Sequence, residues 1–164
     1  MALVQKITPS LWFDDKCEEA MNFYVSVFPD SKIEKISYYP ENSEDEHMKG
    51  MNGKVLTGIF TLAGQRFQAL DGGPIFKFNE AVSFSVECDT QEEIDHYWEN
   101  LSAVPESEQC GWCKDKYGVS WQIVPKQLDE LMSGDPEKTA RVIEVFMQMK
   151  KFDIAKLQEA YDGK

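Results

Sequence analysis

The sequence is poor in arginine, in histidine and in long apolar runs. Only two of its 164 residues are arginine, Arg66 and Arg141, and 29 acidic against 17 basic residues give a formal charge of −12. Binding to nucleic acid or to an anionic membrane surface depends on clustered Lys and Arg side chains. We therefore expect neither nucleic acid nor a membrane as a partner of this protein.

No segment of the sequence is both long and apolar enough to span a membrane. Residues 1–13 also lack the basic start and the apolar run of a signal peptide. These features predict a cytoplasmic protein, and in that compartment cysteines are expected to be free thiols. The four cysteines are Cys17, Cys88, Cys110 and Cys113.

The first half of the chain has the pattern of a strand, a helix and three further strands. Residues 7–13 are typical of a buried strand, and apolar side chains then recur at helical spacing over residues 17–28 until Pro29. Asp15, with Glu18 three residues later, predicts the N-terminal cap of this helix. The further strands are predicted over residues 33–39, 54–62 and 66–70.

The second half repeats this order, which indicates a duplicated βαβββ module. A capping box from Thr90 to Glu93 precedes its helix. Both halves also end on the same pattern, an aromatic residue, a glutamine and two apolar residues, at 67–70 and 121–124. The strands of this half are predicted over residues 82–88, 102–104, 109–114 and 119–124.

After Pro125 the composition becomes helical, with helix starts predicted at Asp135-Pro136 and at Asp153. We expect an α+β protein with one domain over residues 1–126 and a helical C-terminal extension over residues 127–164. Within the domain, module one covers residues 1–75 and module two residues 80–126. The extension is expected to serve in packing, and one alternative is that it covers a partner subunit.

Several longer runs resemble the PhnB-like branch of the vicinal-oxygen-chelate superfamily, which includes glyoxalases and bleomycin-resistance proteins. These runs are residues 69–74, 76–84, 109–112, 115–125 and 134–163. The resemblance implies two paired βαβββ modules in a curled mixed sheet, usually assembled as a homodimer. Some members of this family carry the name 3-demethylubiquinone-9 3-methyltransferase.

The resemblance also gives positions for a metal site. In metal-dependent members of the superfamily, the first and the last strand of each module each provide one ligand of the His or Glu type. The matching positions of this sequence are Thr8, Gln68, Ser83 and Gln122. None of them is His, Asp or Glu, and neutral side chains bring no anionic charge to a divalent ion. We therefore predict no metal and no cofactor.

The same four residues are candidates for the lining of a ligand pocket, because alternate residues of a strand share one face. The expected pocket walls beside them are Ser10, Trp12, Leu70, Ser85 and Ser120. Hydroxyls and amides among aromatic walls suit a small neutral or weakly polar ligand. The alternative is that Gln68 and Gln122 only satisfy buried backbone groups.

Two other motifs are weaker candidates for a site. Cys110 and Cys113 have the spacing of a redox pair, but they fall in a predicted strand without a second ligand pair or a helix start. We interpret them as strand thiols, with a nucleophile or an oxidation sensor as the alternative. The acidic stretch 41–47 is interpreted as a solvated loop.

The predicted function is the binding of a small molecule in a metal-free cup. The alternative is a metal-independent enzyme of the isomerase, lyase or dioxygenase kind, so enzymatic activity stays open. A methyltransferase is the least favoured function. A Rossmann-type site for adenosylmethionine needs a glycine-rich turn after the first strand, and this sequence has Asp14, Asp15 and Lys16 there.

Overall fold

The structure is a computed structural model that describes residues 5–164, and the chain forms two compact units, one ending at Lys77 and the other starting at Phe78. The strands and helices of the first unit are β1 (Ser10–Phe13), α1 (Cys17–Val27), β2 (Lys32–Tyr38), β3 (Val55–Leu62) and β4 (Gln65–Asp71). Those of the second are β5 (Ser83–Cys88), α2 (Gln91–Leu101), β6 (Trp112–Lys114), β7 (Ser120–Pro125), α3 (Leu128–Met132), α4 (Pro136–Phe146) and α5 (Ile154–Asp162). Short 3₁₀ turns cover Glu46–Met48 and Pro105–Ser107.

The first unit is a four-stranded sheet with α1 packed against β3. The strand order is β1-β4-β3-β2, where β1 and β4 are parallel and the other neighbours are antiparallel. Tyr24 of α1 and Phe60 of β3 are fully buried, with stacked rings whose centroids lie 6.3 Å apart. Leu11 and Phe13 are buried while Trp12 between them is half-buried, so the predicted alternation of β1 is confirmed.

The N-terminal cap of α1 differs from the prediction. Asp15 adopts a left-handed conformation with a φ of 55° and Lys16 holds the cap position without a side-chain bond, so the prediction of an Asp15 cap is wrong. Asp71 at the end of β4 supplies the acceptor instead. Its Oδ1 accepts the backbone N–H groups of Lys16 at 3.0 Å and of Cys17 at 2.9 Å. The free amides at the start of α1 are thus satisfied from a distant strand.

The second unit has a three-stranded sheet in the order β5-β7-β6, with β5 and β7 parallel and β6 and β7 antiparallel. The strand predicted over residues 102–104 does not form. One backbone hydrogen bond joins Ala103 to Lys114 at 2.9 Å, and the chain then enters the turn at Pro105, which has no N–H to extend a ladder. The sheet is therefore one strand shorter than the sequence indicates.

The helical extension packs in the second unit. Its buried side chains are Leu131, Val142, Phe152 and Leu157. The predicted caps are confirmed, since Asp135 accepts N–H groups of α4, Asp153 accepts one of α5 and Thr90 accepts one of α2. Among the helices of residues 5–164, none combines the length and the apolar character that a membrane crossing needs.

Candidate functional site

Two of the predicted site residues are in direct contact in the second unit. The parallel register of β5 and β7 places Ser83 opposite Ser120 and Ser85 opposite Gln122. The Gln122 side chain reaches Ser83 on the adjacent strand β5, where its Nε2 donates to the Ser83 hydroxyl at 2.9 Å. Both side chains are half-buried. The first and last strands of this module therefore present a joined amide and hydroxyl on one face.

The hydrogen bond between Gln122 and Ser83 leaves the rest of the amide available. Because a serine hydroxyl can donate or accept, the Gln122 amide can flip, which exchanges its oxygen and its NH₂ group, and still keep a hydrogen bond to Ser83. Within residues 5–164 the second polar atom of the Gln122 amide makes no hydrogen bond. The amide can therefore offer either its oxygen or its NH₂ group to a ligand.

The predicted wall residues of this module differ in exposure. Ser85 is exposed, whereas only 2 % of Ser120 is exposed. In the described part of the chain the buried hydroxyl of Ser120 has no hydrogen-bond partner. Such a group is uncommon in a folded interior.

In the first unit the predicted residues share neighbouring strands without bonding to each other. Gln68 of β4 pairs with Ser10 of β1, and Leu70 pairs with Trp12. The Gln68 backbone N–H donates to the carbonyl of Pro9 at 2.8 Å, and the Trp12 indole donates to the carbonyl of Gly73 at 2.8 Å. Gln68, Leu70 and Trp12 are half-buried, and Ser10 is exposed.

Thr8 lies two residues before β1 and is half-buried. Among residues 5–164, no hydrogen bond joins the side chains of Thr8 and Gln68. The pair in the first unit therefore lacks the contact that its counterpart, Ser83 and Gln122, makes in the second unit.

A pocket of about 540 Å³ lies within the second unit between the sheet and the helical extension. Its sheet side consists of Gln109, Cys110, Trp112, Gln122 and Val124. Its helical side consists of Leu128, Phe146, Met147 and Phe152. Among these residues, the sequence predicts only Gln122 as part of a pocket lining. The segment between α4 and α5 gave no comparable signal, because four of its seven residues are polar or charged.

The connection between α4 and α5 is held to the turn before β6 by backbone hydrogen bonds. Cys110 and Gly111 both have positive φ angles, of 48° and 80°. Their N–H groups donate to the carbonyls of Met149 and Lys150, each at 2.8 Å. The amide of Gln109 adds a bond to the carbonyl of Met147 at 3.0 Å. The helical wall of the pocket is therefore fixed in place by the sheet.

The two cysteines of the C-x-x-C motif have different environments. The strand predicted over residues 109–114 covers only Trp112–Lys114 in the structure. Cys110 therefore lies in the turn before this strand, where it is half-buried and lines the pocket. Cys113 lies inside β6 and is buried. Burial, together with the nearby Asp115 carboxylate, raises the pKa of the Cys113 thiol to about 12. At neutral pH this thiol is protonated and a poor nucleophile.

The donor set does not fit a catalytic divalent ion. Across residues 5–164, no three His, Cys, Asp or Glu side chains come together in a way that could hold a metal. The four positions that the resemblance assigns to the superfamily's ligands carry only neutral groups. His47 and His96 are both exposed elsewhere, on the Glu46–Met48 turn and on α2. Neutral oxygens alone compensate poorly for the lost hydration of a divalent ion.

Comparison with known proteins gives the family. The model of the 3-demethylubiquinone-9 3-methyltransferase family matches residues 5–124. The structure is also similar to the PhnB protein from Bacillus cereus, provisionally given the same methyltransferase name, at 43 % identity and a TM-score of 0.62. The match covers 74 % of this chain and 99 % of the Bacillus protein. The chain belongs to this PhnB-like family. No curated protein matches it.

More distant structures support the fold of the PhnB-like family. The Pseudomonas aeruginosa protein PA1353 is 19 % identical, over 74 % of this chain and 98 % of that one, with a TM-score of 0.57. The fosfomycin resistance protein FosX from Listeria monocytogenes is 13 % identical, over 82 % of this chain and 100 % of that one, with a TM-score of 0.51. The resemblance and the α+β glyoxalase-like fold predicted from the sequence are confirmed.

Proposed function

We propose that the protein binds a small neutral or weakly polar molecule through uncharged side chains, without a catalytic metal. The observation that carries this proposal is the 2.9 Å hydrogen bond between Gln122 and Ser83. The family resemblance matches these residues to positions where metal-dependent members have ion ligands, and in this chain they form a pair of directed hydrogen-bonding groups. Thr8 and Gln68 are proposed to serve the same ligand class in module one, with Ser10, Trp12, Leu70, Ser85 and Ser120 as wall residues.

The chemistry of the pocket favours binding over catalysis. Among the residues that the structure describes, its lining contains no carboxylate, imidazole or amine that could act as a general acid or base. A metal-independent isomerase, lyase or dioxygenase would need such a group, or an activated nucleophile, in contact with the substrate. The methyltransferase name has no support from the chain after β1, because Asp14, Asp15 and Lys16 replace a glycine-rich turn.

The experiment measures the binding of two uncharged probes, benzamide and 2-naphthol, by isothermal titration with and without EDTA. We expect at least one of them to bind, with an affinity that EDTA leaves unchanged. Gln122→Ala should weaken binding by about fivefold, since a hydrogen bond contributes about 1 kcal/mol. Gln158→Ala is the matched control, because Gln158 is exposed on α5 and bonds only locally to Asp162.

Three results would contradict the proposal. One is a purified protein that contains about one metal ion per chain and loses binding when EDTA removes it. Another is the failure of both probes to bind at millimolar concentration. The third is an unchanged affinity of Gln122→Ala. For the enzyme alternative, the decisive measurement is turnover of the Gln68→Ala, Gln122→Ala double variant, because unchanged turnover would contradict a catalytic role of these two glutamines.

We also propose that the protein is a cytoplasmic homodimer, built from one domain over residues 1–126 and the extension over residues 127–164. The proposal of a dimer is supported by several large apolar side chains that are strongly exposed and could be buried against a second copy of the chain. They are Ile7 at 86 %, Ile75 at 74 %, Phe76 at 63 % and Val82 at 67 %. Sedimentation velocity should show a dimer that Phe76→Glu shifts toward a monomer, while a monomeric wild type would contradict the proposal.

A further inference from the structure

One wall of the pocket in the second unit comes from outside the family-matched part of the chain. The family model ends at Val124, and the Bacillus relative is almost fully covered by a match to 74 % of this chain. Leu128, Phe146, Met147 and Phe152 all follow that boundary, yet they line the pocket opposite β6 and β7. Residues 5–124, which the family model matches, therefore cannot form this pocket by themselves.

The chemistry of the lining selects an uncharged aromatic ligand. Three ring systems border the pocket, from Trp112 of β6 and from Phe146 and Phe152 of the extension. The two phenylalanine rings lie 5.2 Å apart at an interplanar angle of 31°. Met147 adds a thioether, which packs favourably against aromatic faces. No charged side chain from residues 5–164 lines the pocket, so burying a charged ligand here would leave that charge without a counterion from them.

Two polar groups at the sheet side remain available for one substituent of such a ring. The Gln122 amide uses one of its polar atoms on Ser83, and the other is unpaired in the described part of the chain. The Trp112 indole N–H likewise has no partner within residues 5–164. A hydroxyl or carbonyl oxygen on the ligand can accept from the indole, and the Gln122 amide can pair with the same substituent.

The helical wall is also preformed. Besides the bonds from Cys110 and Gly111, the Arg141 guanidinium donates to the carbonyls of Ala160 and Tyr161, each at 2.9 Å, and so joins α4 to the end of α5. A preformed wall reduces the entropy lost when a ligand binds.

We propose that this pocket binds an uncharged ligand with a flat aromatic ring and one hydroxyl or carbonyl group, and that the C-terminal extension selects it. The proposal rests on the binding function proposed above, because Gln122 belongs to both. It adds the ligand class and assigns the selection to residues that lie beyond the part of the chain matched by the family model.

The experiment compares 2-naphthol with 2-naphthoate, which has the same rings but carries a negative charge at neutral pH. We expect the wild type to bind the anion at least about tenfold more weakly, because its charge would be buried without a partner. Met147→Glu places a carboxylate at the rim and should weaken 2-naphthol binding by about fivefold through lost apolar contact and added polarity. Met147 is 57 % exposed, so this substitution is compatible with folding.

Ile143→Glu is the matched control. Ile143 lies one turn earlier on α4, is 41 % exposed and does not line the pocket. Its substitution should change 2-naphthol affinity by less than about twofold. A shift of the Trp112 indole N–H resonance on addition of 2-naphthol should provide a second readout of the site.

The outcomes separate the two proposals. If Gln122→Ala weakens 2-naphthol binding while Met147→Glu binds as tightly as the wild type, the role of the extension is overturned and the binding function stands. If Met147→Glu weakens binding while Gln122→Ala has no effect, the polar anchor of the proposed function is wrong and the extension wall is supported. Equal binding of 2-naphthol and 2-naphthoate would overturn the proposed ligand class.

Discussion

The carboxylate of Asp115 accepts the indole N–H of Trp121, with 2.9 Å between Oδ2 and Nε1. Its other oxygen accepts the backbone N–H groups of Tyr117 at 2.9 Å and of Val119 at 3.0 Å. Asp115 is 1 % exposed and Trp121 is 2 % exposed. A single buried side chain therefore satisfies three donors and fixes the turn that leads into β7.

We predict that Asp115→Ala lowers the free energy of unfolding by about 3 kcal/mol or more, since it leaves several buried donors unpaired. Asp115→Asn should lose less unfolding free energy than Asp115→Ala, because it keeps one acceptor oxygen. It should still be less stable than the wild type, because its NH₂ group would face the indole N–H, which is also a donor. Urea denaturation followed by tryptophan fluorescence measures both effects. The control is Glu99→Ala, at an exposed position of α2. An Asp115→Ala variant as stable as the control would contradict the prediction.

The cap of α1 by Asp71 predicts a pH dependence of stability. Burial raises the pKa of the Asp71 carboxyl, and the N–H groups of Cys17 and Lys16 offset this only in part. Because the pKa is higher in the folded state, the contribution of Asp71 to stability is full below the unfolded pKa of about 3.9 and is lost as the pH rises through the folded pKa.

Asp71→Asn keeps an oxygen for both N–H groups and cannot ionise. We therefore expect it to be more stable than the wild type at about pH 7, with a difference that narrows toward about pH 4. Thermal denaturation of both proteins across this pH range measures the difference in their stability. The contributions of the other titrating groups cancel, because both proteins contain them. A difference that grows as the pH falls would show that the charged carboxylate is the favoured form.

The turn at Gly111 requires glycine for two reasons. Its φ is +80°, and a Cβ there would lie 2.9 Å from the carbonyl oxygen of Ile123 and overlap the ring of Phe152. Gly118 is a matched control, since its φ is +90° while its Cβ would meet Phe78 only at an ordinary 3.8 Å.

We predict that Gly111→Ala loses about 2 kcal/mol more of unfolding free energy than Gly118→Ala, because only the first adds overlap to the backbone strain. Urea denaturation measures the two losses. Amide hydrogen exchange should also become faster at Cys110 and Gly111 in the Gly111→Ala variant. Equal losses of unfolding free energy in the two variants would contradict the prediction, because the overlap with Phe152 would then be relieved without any loss of stability.

The cysteines should differ in their reaction with iodoacetamide. Burial raises the pKa of Cys17 and Cys88 to about 12, as it does for Cys113, with further contributions from neighbouring carboxylates. The folded protein should therefore be alkylated at Cys110 alone, because that thiol is half-buried at the pocket. Mass spectrometry of the intact and digested protein identifies the site. Modification of Cys113 before Cys110 would refute this order.

The sequence predicts those features that depend on neighbouring residues. The caps at Thr90, Asp135 and Asp153 each bond to an amide two or three residues away, so the local pattern is sufficient. The order of a strand, a helix and further strands recurs in both units, with one strand fewer in the second, and the sequence indicates it because the apolar residues are spaced locally along each element. The same local pattern at Asp15 was misleading, because Asp71 occupies the cap from a distant strand.

The candidate site was predictable only in part. The resemblance gave Ser83 and Gln122, and their contact agrees with the expected face of β5 and β7. The helical wall of the pocket was not predictable, because it depends on how the connection after α4 docks on the left-handed turn at Cys110 and Gly111. The composition of residues 147–153 did not indicate a pocket wall, because only Met147, Met149 and Phe152 are apolar there.

The shortness of the second sheet has a consequence for aggregation. Unpaired amides at the border of a sheet attract strands from other molecules. Next to β6, the amides of Cys110 and Gly111 are occupied by carbonyls of the segment between α4 and α5 rather than by a fourth strand. The connection between α4 and α5 therefore shields these amides, and a chain shortened to the family-matched region would expose them to intermolecular pairing.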